Sequence, residues 1–460
     1  MFKVFNNIDK FNNNTALISS QKFISYNNLF LESKKIEKLL ESNSVSLLIA
    51  DNHIDFIIGY VAFLNKKNII TILVDNTFAE DFINKILKKF QPDYIYSSKQ
   101  SEYFNLKLRR IVNYNSYFLY KTDFPKKKNL NFNNFLLLTT SGTTESPKLV
   151  RLSRQNLEDN IKNISKNLKL EKNHTTITTM PMGYSYGLSI INTHLYKGAK
   201  IVINKSNILE KDFWDKIIKY KVNSFGGVPE FYNFLKKIGF KKKIYPSIKY
   251  LTQAGGKMHS ETFEYFQDVS AEKNIKFYIM YGQTEASPRM TILDWKTFFK
   301  KKNSIGKPFK NCKIDLIDNK KKKIKKPYIT GEIVFKGKNV SLGYAKSLKD
   351  LKKGDLNKKI LFTGDLAYRD DEGYYFISGR KKKFVKLFGR RFDLKEIENF
   401  SSSKGIKIKC YLNDDKLKVR LHNNSKNKNK VKNLISKYLN INPNYILIEN
   451  KKIRNLKDFN

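Results

Sequence analysis

Residues 139–148 read Thr139-Thr140-Ser141-Gly142-Thr143-Thr144-Glu145-Ser146-Pro147-Lys148 and directly follow the apolar run 135–138. Glycine lets backbone N–H groups approach an anion closely, hydroxyl groups donate further hydrogen bonds, and lysine adds a positive charge. The segment therefore predicts a phosphate-binding loop at the end of a strand. An ordinary surface loop is the alternative, because Ser, Thr, Gly and Pro cluster in loops generally. A Walker P-loop is excluded, since no Ser or Thr directly follows Lys148.

Four further segments follow in chain order: Tyr281-Gly282-Gln283-Thr284-Glu285, Phe362-Thr363-Gly364-Asp365, the basic run 379–389 that follows Ser378, and the tail 448–454. Together with the loop, they resemble the adenylate-forming superfamily of acyl-CoA synthetases, aryl-CoA ligases, luciferases and peptide-synthetase adenylation domains. The shared order carries the resemblance, because each segment alone is typical of a turn or a solvated basic run. The resemblance covers nearly the whole chain.

The resemblance implies a site for ATP and Mg²⁺. The residues that would hold the phosphates are Thr140, Ser141, Gly142, Thr143, Thr144 and Lys148. Thr284 would contact the α-phosphate, and Glu285 would help to hold Mg²⁺, which prefers one or two carboxylates when it bridges phosphates.

The same resemblance implies a nucleoside site. Its residues would be Gly255, Gly256, Tyr281, Gly282, Gln283, Asp365 and Arg380. Tyr281 would pack on adenine, alongside the turn formed by the two consecutive glycines. Asp365 would accept both ribose hydroxyls, and Arg380 would lie near ribose and phosphate.

The resemblance also implies a mobile C-terminal lid that turns about Lys382. Lys452 would neutralise the substrate carboxylate and the α-phosphate during adenylation, and Lys386 would replace it in the thiol-transfer step. The catalytic residues would then be Thr284, Lys386 and Lys452. The chain departs from the family pattern at Glu145 and Leu149, which stand where glycine is usual, at Arg154, which replaces a common histidine, and at Lys451, which replaces the glycine before the tail lysine.

The segment 180–188, Met-Pro-Met-Gly-Tyr-Ser-Tyr-Gly-Leu, resembles the family's acyl pocket, with Tyr184, Ser185 and Gly187 as lining residues. Peptide-synthetase domains place an aspartate there to hold an α-ammonium group. No carboxylate occurs in this segment, and burying an unpaired ammonium is costly. An acyl, hydroxyacyl or aryl acid is therefore favoured over an α-amino acid.

The charge raises a different possibility. The chain has 88 Lys+Arg against 42 Asp+Glu, a formal net charge of +46, so a protein that binds nucleic acid must be considered. The lysines are spread from end to end, and runs such as 320–323 and 426–430 have few interleaved aromatic residues for base stacking. We interpret them as solvated faces and expect no specific nucleic-acid partner.

Composition fits a globular enzyme. Hydrophobic residues make up 40% of the 460-residue chain, enough to fill a core. No apolar run approaches the roughly 18 residues of a spanning helix, and no secretion signal is evident, so we expect a cytoplasmic protein. Two cysteines and five scattered histidines predict neither a disulfide framework nor a zinc site.

Helix and strand patterns alternate along the first half of the chain. Apolar runs at 45–50 and 69–74 flank a helical pattern at 56–64, which is the rhythm of a layered α/β fold. After residue 335 the pattern becomes rich in hairpins, and from residue 404 it indicates a small α+β domain. We predict an N-terminal AMP-binding domain at 1–380, made of α/β subdomains and a small β-rich subdomain, and a C-terminal lid at 381–460.

Three hypotheses remain open: an active ligase, a nucleotide-binding relative that has lost catalysis, and a basic nucleic-acid-binding protein. We favour the ligase. It would form acyl-AMP and pyrophosphate from a carboxylic acid and ATP, then transfer the acyl group to CoA or to the phosphopantetheine arm of an acyl carrier protein.

Overall fold

The computed structural model describes residues 11–19, 22–140, 147–381, 384–387, 390–406, 408–413, 416–421, 428–439 and 441–449. Its helices are α1 Tyr26–Leu39, α2 Ile54–Asn65, α3 Glu80–Phe90, α4 Arg154–Asn167, α5 Ser185–Lys197, α6 Lys211–Lys219, α7 Pro229–Lys237, α8 Ser260–Lys273, α9 Trp295–Phe298, α10 Leu394–Ser403 and α11 Lys428–Leu439.

Its strands are β1 Thr15–Ile18, β2 Phe23–Ser25, β3 Ser44–Ala50, β4 Ile69–Asp75, β5 Tyr94–Ser97, β6 Leu108–Tyr114, β7 Tyr117–Thr122, β8 Leu136–Thr139, β9 Leu149–Leu152, β10 Thr175–Ile177, β11 Lys200–Val202, β12 Ser224–Gly227, β13 Tyr250–Gln253, β14 Lys276–Gly282, β15 Arg289–Leu293, β16 Lys307–Pro308, β17 Lys313–Ile317, β18 Gly331–Lys336, β19 Tyr344–Ala345, β20 Ile360–Arg369, β21 Tyr375–Arg380, β22 Phe384–Leu387, β23 Arg390–Asp393, β24 Ile408–Asn413, β25 Lys416–Leu421 and β26 Ile446–Glu449.

The first sheet has the order β19-β9-β8-β4-β3-β5-β7-β6. Strands β8, β4, β3 and β5 pair in parallel. Every residue of β3 and β4 is buried, as expected for parallel strands covered on both faces. Val45 and Leu47 pack in one core with helix α3, whereas Leu48 packs in another core with α2. The alternation of side chains along a strand thus divides the core into two layers.

The second sheet has the order β16-β15-β14-β13-β12-β10-β11-β1-β2. Its centre is parallel and its edges are antiparallel. Helices α6, α7 and α8 bury aromatic side chains against one face, and α4 and α5 contribute to cores that include residues of the other strands. The carboxyl ends of β12, β13 and β14 lie side by side, which is where doubly wound sheets place ligands.

A four-stranded antiparallel sheet, β17-β18-β20-β21, completes the large unit. Its pairing shifts by two residues between Glu332 and Val334, where Thr363, Gly364 and Asp365 of β20 lie opposite Ile333 of β18, which is a β-bulge. One hairpin in the region after residue 335, where the sequence predicts hairpins, turns at residues 370–374, and there the Asp370 N–H donates to the Tyr374 carbonyl oxygen at 2.9 Å between β20 and β21.

Among the described residues, Cα proximity separates this large unit, which runs to Gly379, from a small unit that starts at Arg380. The small unit contains the β22–β23 hairpin, the sheet β24-β25-β26 and helices α10 and α11, with its own apolar core. The α/β class and the alternation of elements predicted from the sequence are confirmed. Within the described ranges, no helix combines the length and the apolar character that crossing a membrane requires.

Candidate active site

The predicted phosphate loop connects two paired strands. Thr139 of β8 pairs with Leu149 of β9, so Thr140 and Lys148 stand at the two ends of the connection. Ser141, Gly142, Thr143 and Thr144, together with Glu145, lie outside the described residues. The position after a buried strand is the one that the sequence predicts.

The segment 281–285 leaves the end of β14 and turns sharply. A side chain at Gly282 would overlap the carbonyl oxygen of Pro288, so only glycine fits where the chain reverses into β15. Thr284 begins a short 3₁₀ turn, Thr284–Ala286. The turn places four polar side chains of this segment at the carboxyl edge of the second sheet.

Asp365 receives two hydrogen bonds from that segment. The Tyr281 hydroxyl and Gln283 Nε2 both donate to Asp365 Oδ2 at 2.6 Å. Gln283 Nε2 also lies 3.1 Å from the Thr363 carbonyl oxygen. Asp365 and Gln283 are 7% and 5% exposed, so these bonds form in a largely dry environment and hold the carboxylate in one orientation. The sequence did not reveal that Tyr281 and Gln283 fix Asp365.

Glu285 is linked to Lys148 through a tyrosine that the sequence analysis missed. The Tyr344 hydroxyl donates to Glu285 Oε1 at 2.7 Å, and Lys148 Nζ lies 3.7 Å from the centroid of the Tyr344 ring. This is a close cation–π contact. It brings the end of the phosphate loop next to the predicted metal ligand, although the two residues are far apart in the chain.

Glu285 suits a Mg²⁺ ion that is also bound by substrate phosphates. Among the residues that the structure describes, no group of three His, Cys, Asp or Glu side chains could hold a metal ion by itself. Mg²⁺ usually takes one or two protein carboxylates and completes its shell with water and substrate phosphates. The single carboxylate of Glu285 therefore fits a phosphate-bridged Mg²⁺ and not an all-protein site.

The predicted acyl segment contacts the phosphate motif directly. Ser185 Oγ and Thr284 Oγ1 lie 3.0 Å apart in hydrogen-bonding geometry. Ser185 begins helix α5, and Tyr184 precedes it as the N-cap residue. Gly187 lies in the first turn, where a side chain would overlap the carbonyl oxygen of Pro181. The start of α5 can thus pack closely on the segment before it.

Asp75 accepts a hydrogen bond from the acyl segment, and the sequence patterns did not indicate this contact. It ends strand β4, is 2% exposed, and accepts hydrogen bonds from the Thr77 N–H at 3.1 Å and hydroxyl at 2.7 Å and from the Gly183 N–H. Burial raises the pKa of Asp75. A carboxylate at a strand end beside two turn residues could have indicated this role.

The other predicted residues have these positions. Gly255 and Gly256 follow β13, and Gln253 Nε2 donates to the Gly256 carbonyl at 2.9 Å. Arg380 ends β21, and Lys386 lies on β22 of the small unit. Lys382 and Lys452 lie outside the described residues.

Known proteins resemble this chain over most of its length. The family model described as AMP-binding enzyme matches residues 4–345. The oxalate–CoA ligase of Saccharomyces cerevisiae is 29% identical over 269 residues, which are 58% of this chain and 48% of that protein. A 2-succinylbenzoate–CoA ligase of Bacillus cereus is 29% identical over 264 residues, 57% of this chain and 53% of that protein. The chain thus matches about half the length of these curated relatives.

Solved structures support the fold over the whole chain. An o-succinylbenzoate CoA synthetase from Bacillus subtilis, bound with a product analogue, superposes with a TM-score of 0.77 at 18% identity, covering 99% of this chain and 96% of that one. The protein IdnL1 gives a TM-score of 0.80 at 15% identity, covering 98% and 97%.

Proposed function

Since this chain belongs to the AMP-binding enzyme family, we propose that it activates a carboxylic acid with ATP and transfers the acyl group to a thiol. One observation carries the proposal. The turn 281–285 contacts Asp365, Ser185 and Tyr344 at the same time, and Tyr344 in turn contacts Lys148. The segments proposed for ribose, acid and phosphate therefore meet at one point, as a reaction between a carboxylate and the α-phosphate requires.

The nucleotide would be held by groups that are already oriented. Tyr281 and Gln283 fix the carboxylate of Asp365, which would accept the ribose hydroxyls. Gly255, Gly256 and the Tyr281 ring would border adenine, and Arg380 would lie near ribose and phosphate. Orientation before binding lowers the entropy lost when the ligand binds.

The phosphates would lie between the loop 140–148 and Glu285. Lys148 would complement the negative charge of the phosphates. Mg²⁺ bound by Glu285 and ATP would neutralise the charge that develops on the leaving pyrophosphate. The Tyr344 hydroxyl donates a hydrogen bond to Oε1 of Glu285. This bond fixes the orientation of the carboxylate group and therefore the direction in which the other oxygen, Oε2, points.

The reacting atoms would meet beside Thr284 and Ser185. The carboxylate oxygen attacks the α-phosphorus, the bond to pyrophosphate breaks, and acyl-AMP forms. Thr284 would donate to an α-phosphate oxygen, while Ser185 and Gly187 would border the acid. Lys452 would neutralise the two anions as they approach, and motion about Lys382 would bring Lys386 into place for thiol transfer.

The thiol acceptor is proposed to be CoA, with a carrier-protein phosphopantetheine as the alternative. Both curated relatives are CoA ligases, and a solved adenylation–PCP di-domain is also similar in fold. An o-succinylbenzoate synthetase has been solved with ATP and a magnesium ion, which supports the same cosubstrates here. ATP and a free thiol are both available in the cytoplasm, where we expect the protein to work.

Pyrophosphate exchange over a panel of carboxylic acids tests the proposal. With ATP and Mg²⁺, we expect acid-dependent incorporation of labelled pyrophosphate into ATP, followed by acyl-CoA formation when CoA is added. Intact ATP binding without exchange on any acid would contradict the proposal and indicate a relative that has lost catalysis. RNA binding that persists at about 0.2 M salt would favour the nucleic-acid hypothesis instead, because electrostatic contacts weaken by orders of magnitude over that range.

A further inference from the structure

Arg289 is a buried cation beside the acyl segment. It is 2% exposed, and its Cζ lies 4.9 Å from the centroid of the Tyr186 ring. Its Nη1 lies 3.3 Å from Met280 Sδ, a weak acceptor. Its Nε has no hydrogen-bond partner. Within the described part of the chain, no carboxylate lies within 4.0 Å of the guanidinium.

Arg151 shows how the same fold satisfies the terminal nitrogens of a structural arginine, although its Nε, like that of Arg289, has no hydrogen-bond partner. It is fully buried, and its two terminal nitrogens donate to four carbonyl oxygens and to Asn134 Oδ1 at 2.6–3.4 Å. Arg289 has none of these acceptors. A buried guanidinium is strongly destabilising unless it is paired and hydrogen-bonded. Burial lowers the pKa of Arg289, and the nearby Tyr186 and Tyr250 oppose that shift.

The position of Arg289 points to the acid and not to the nucleotide. Tyr186, on which it stacks, lies between Ser185 and Gly187 of the acyl segment. Arg289 is also the strand partner of Gly282, two residues before Thr284. A group that reaches from Thr284 along the Tyr186 ring would therefore approach the guanidinium.

We propose that Arg289 binds a second carboxylate on the acid substrate, so that the enzyme activates dicarboxylic acids. One carboxylate would meet the α-phosphate beside Thr284, and the other would accept hydrogen bonds from the guanidinium. The inference rests on the proposed function, and it names the substrate class of that site. Arginine suits this role because its planar fork matches a carboxylate and stays charged when buried.

Matched pairs of acids test the inference. Malonate, succinate, glutarate and adipate are each compared with their monomethyl esters in acid-dependent AMP formation. For the best pair, we expect the wild type to prefer the diacid by about 10²–10⁴-fold in kcat/KM, as expected when a buried charge would otherwise lose its partner. Arg289→Met should lower kcat/KM for the diacid more than for the ester and so remove most of that preference, and Arg289→Lys should keep part of it.

Arg151→Met is the matched control. It should lower the melting temperature, because it leaves several buried carbonyl oxygens without a donor, and it should keep the wild-type preference for diacids. Arg289→Met should melt at the wild-type temperature or above it without ligand, because it removes an unpaired buried charge. A strong loss of stability in Arg289→Met with an unchanged diacid preference would make Arg289 structural and overturn the inference.

A binding measurement separates this inference from the proposed function. Acyl-sulfamoyl adenosines that carry either a terminal carboxylate or its methyl ester mimic acyl-AMP and need no turnover. Calorimetry should show tighter binding of the carboxylate form to the wild type, and equal binding of the two forms to Arg289→Met. That result without any turnover would uphold the role of Arg289 and reject the ligase. Turnover that favours the esters in the wild type would uphold the proposed ligase activity and overturn the proposal that the substrate is a dicarboxylic acid.

Discussion

Asp365→Ala should weaken ATP binding by about 10²–10⁴-fold. In the proposed complex, the Asp365 carboxylate accepts both ribose hydroxyls, and a hydrogen bond to a charged acceptor contributes about 1.5–3 kcal/mol. Two such bonds amount to about 3–6 kcal/mol. Because Asp365 is 7% exposed and is held by Tyr281 and Gln283 at 2.6 Å, water would not readily restore these bonds. Calorimetry with Mg-ATP measures the change.

The same substitution leaves two donors without their carboxylate. Gln283 keeps the Thr363 carbonyl as an acceptor, so the loss in the free energy of unfolding should be limited to about 1–3 kcal/mol. Tyr281→Phe is the control, since it removes one donor and keeps both Asp365 and the ring beside adenine. It should weaken ATP binding by less than about tenfold. Folded Asp365→Ala that binds ATP within about threefold of wild type would refute the ribose assignment.

The remaining predictions concern the lid, the metal and pH. Lys452→Ala should lower the rate of acyl-AMP formation by several orders of magnitude and leave the rate of thiolysis of supplied acyl-AMP near normal. The neighbouring Lys451→Ala should have only a small effect on both rates. Rapid-quench assays measure each half-reaction, and the reverse result would place the catalytic lysine at 451. Tyr344→Phe should raise the Mg²⁺ concentration needed for half-maximal pyrophosphate exchange, because Glu285 loses the donor that orients it; an unchanged Mg²⁺ requirement would contradict that role. Burial, with further contributions from His174 and Arg289, lowers the pKa of His194 from 6.5 to about 4. As the pH falls, His194 therefore takes up its proton in the unfolded state before it does so in the folded state. The free energy of unfolding should decrease by about 3 kcal/mol between pH 6.5 and 4 for this reason. His194→Gln should remove that part of the pH dependence in urea titrations, and a curve parallel to wild type would count against it.

Local patterns predicted the layered core well. The continuous apolar runs of β3 and β4 indicated strands buried on both faces, and the intervening helical period gave α2. The basic run at 320–323 is exposed, as both the solvated interpretation and a nucleic-acid-binding surface require. These features follow from the residues themselves, because periodicity and charge act over a few positions.

Tertiary contacts were not predictable in the same way. Gly364 with Asp365 would alone indicate a turn, yet both lie inside β20, where the bulge opposite Ile333 accommodates the glycine. Arg289 follows a proline in a chain with 88 Lys and Arg residues, and no local pattern marks it as buried. Its environment arises only when α5 is packed on β14 and β15. Long-range packing therefore determined what short-range sequence patterns left open.

The hydroxyl contact between Ser185 and Thr284 also bears on how this enzyme could acquire new substrates. A substitution at Ser185 that enlarges or reshapes the proposed acid pocket would also move the residue proposed to contact the α-phosphate, since the two oxygens are 3.0 Å apart. Substitutions at position 185 that alter the substrate range would also lower the reaction rate, and they would be selected against for that reason. Directed evolution toward other acids should therefore accumulate its substitutions deeper in the pocket, and leave position 185 unchanged.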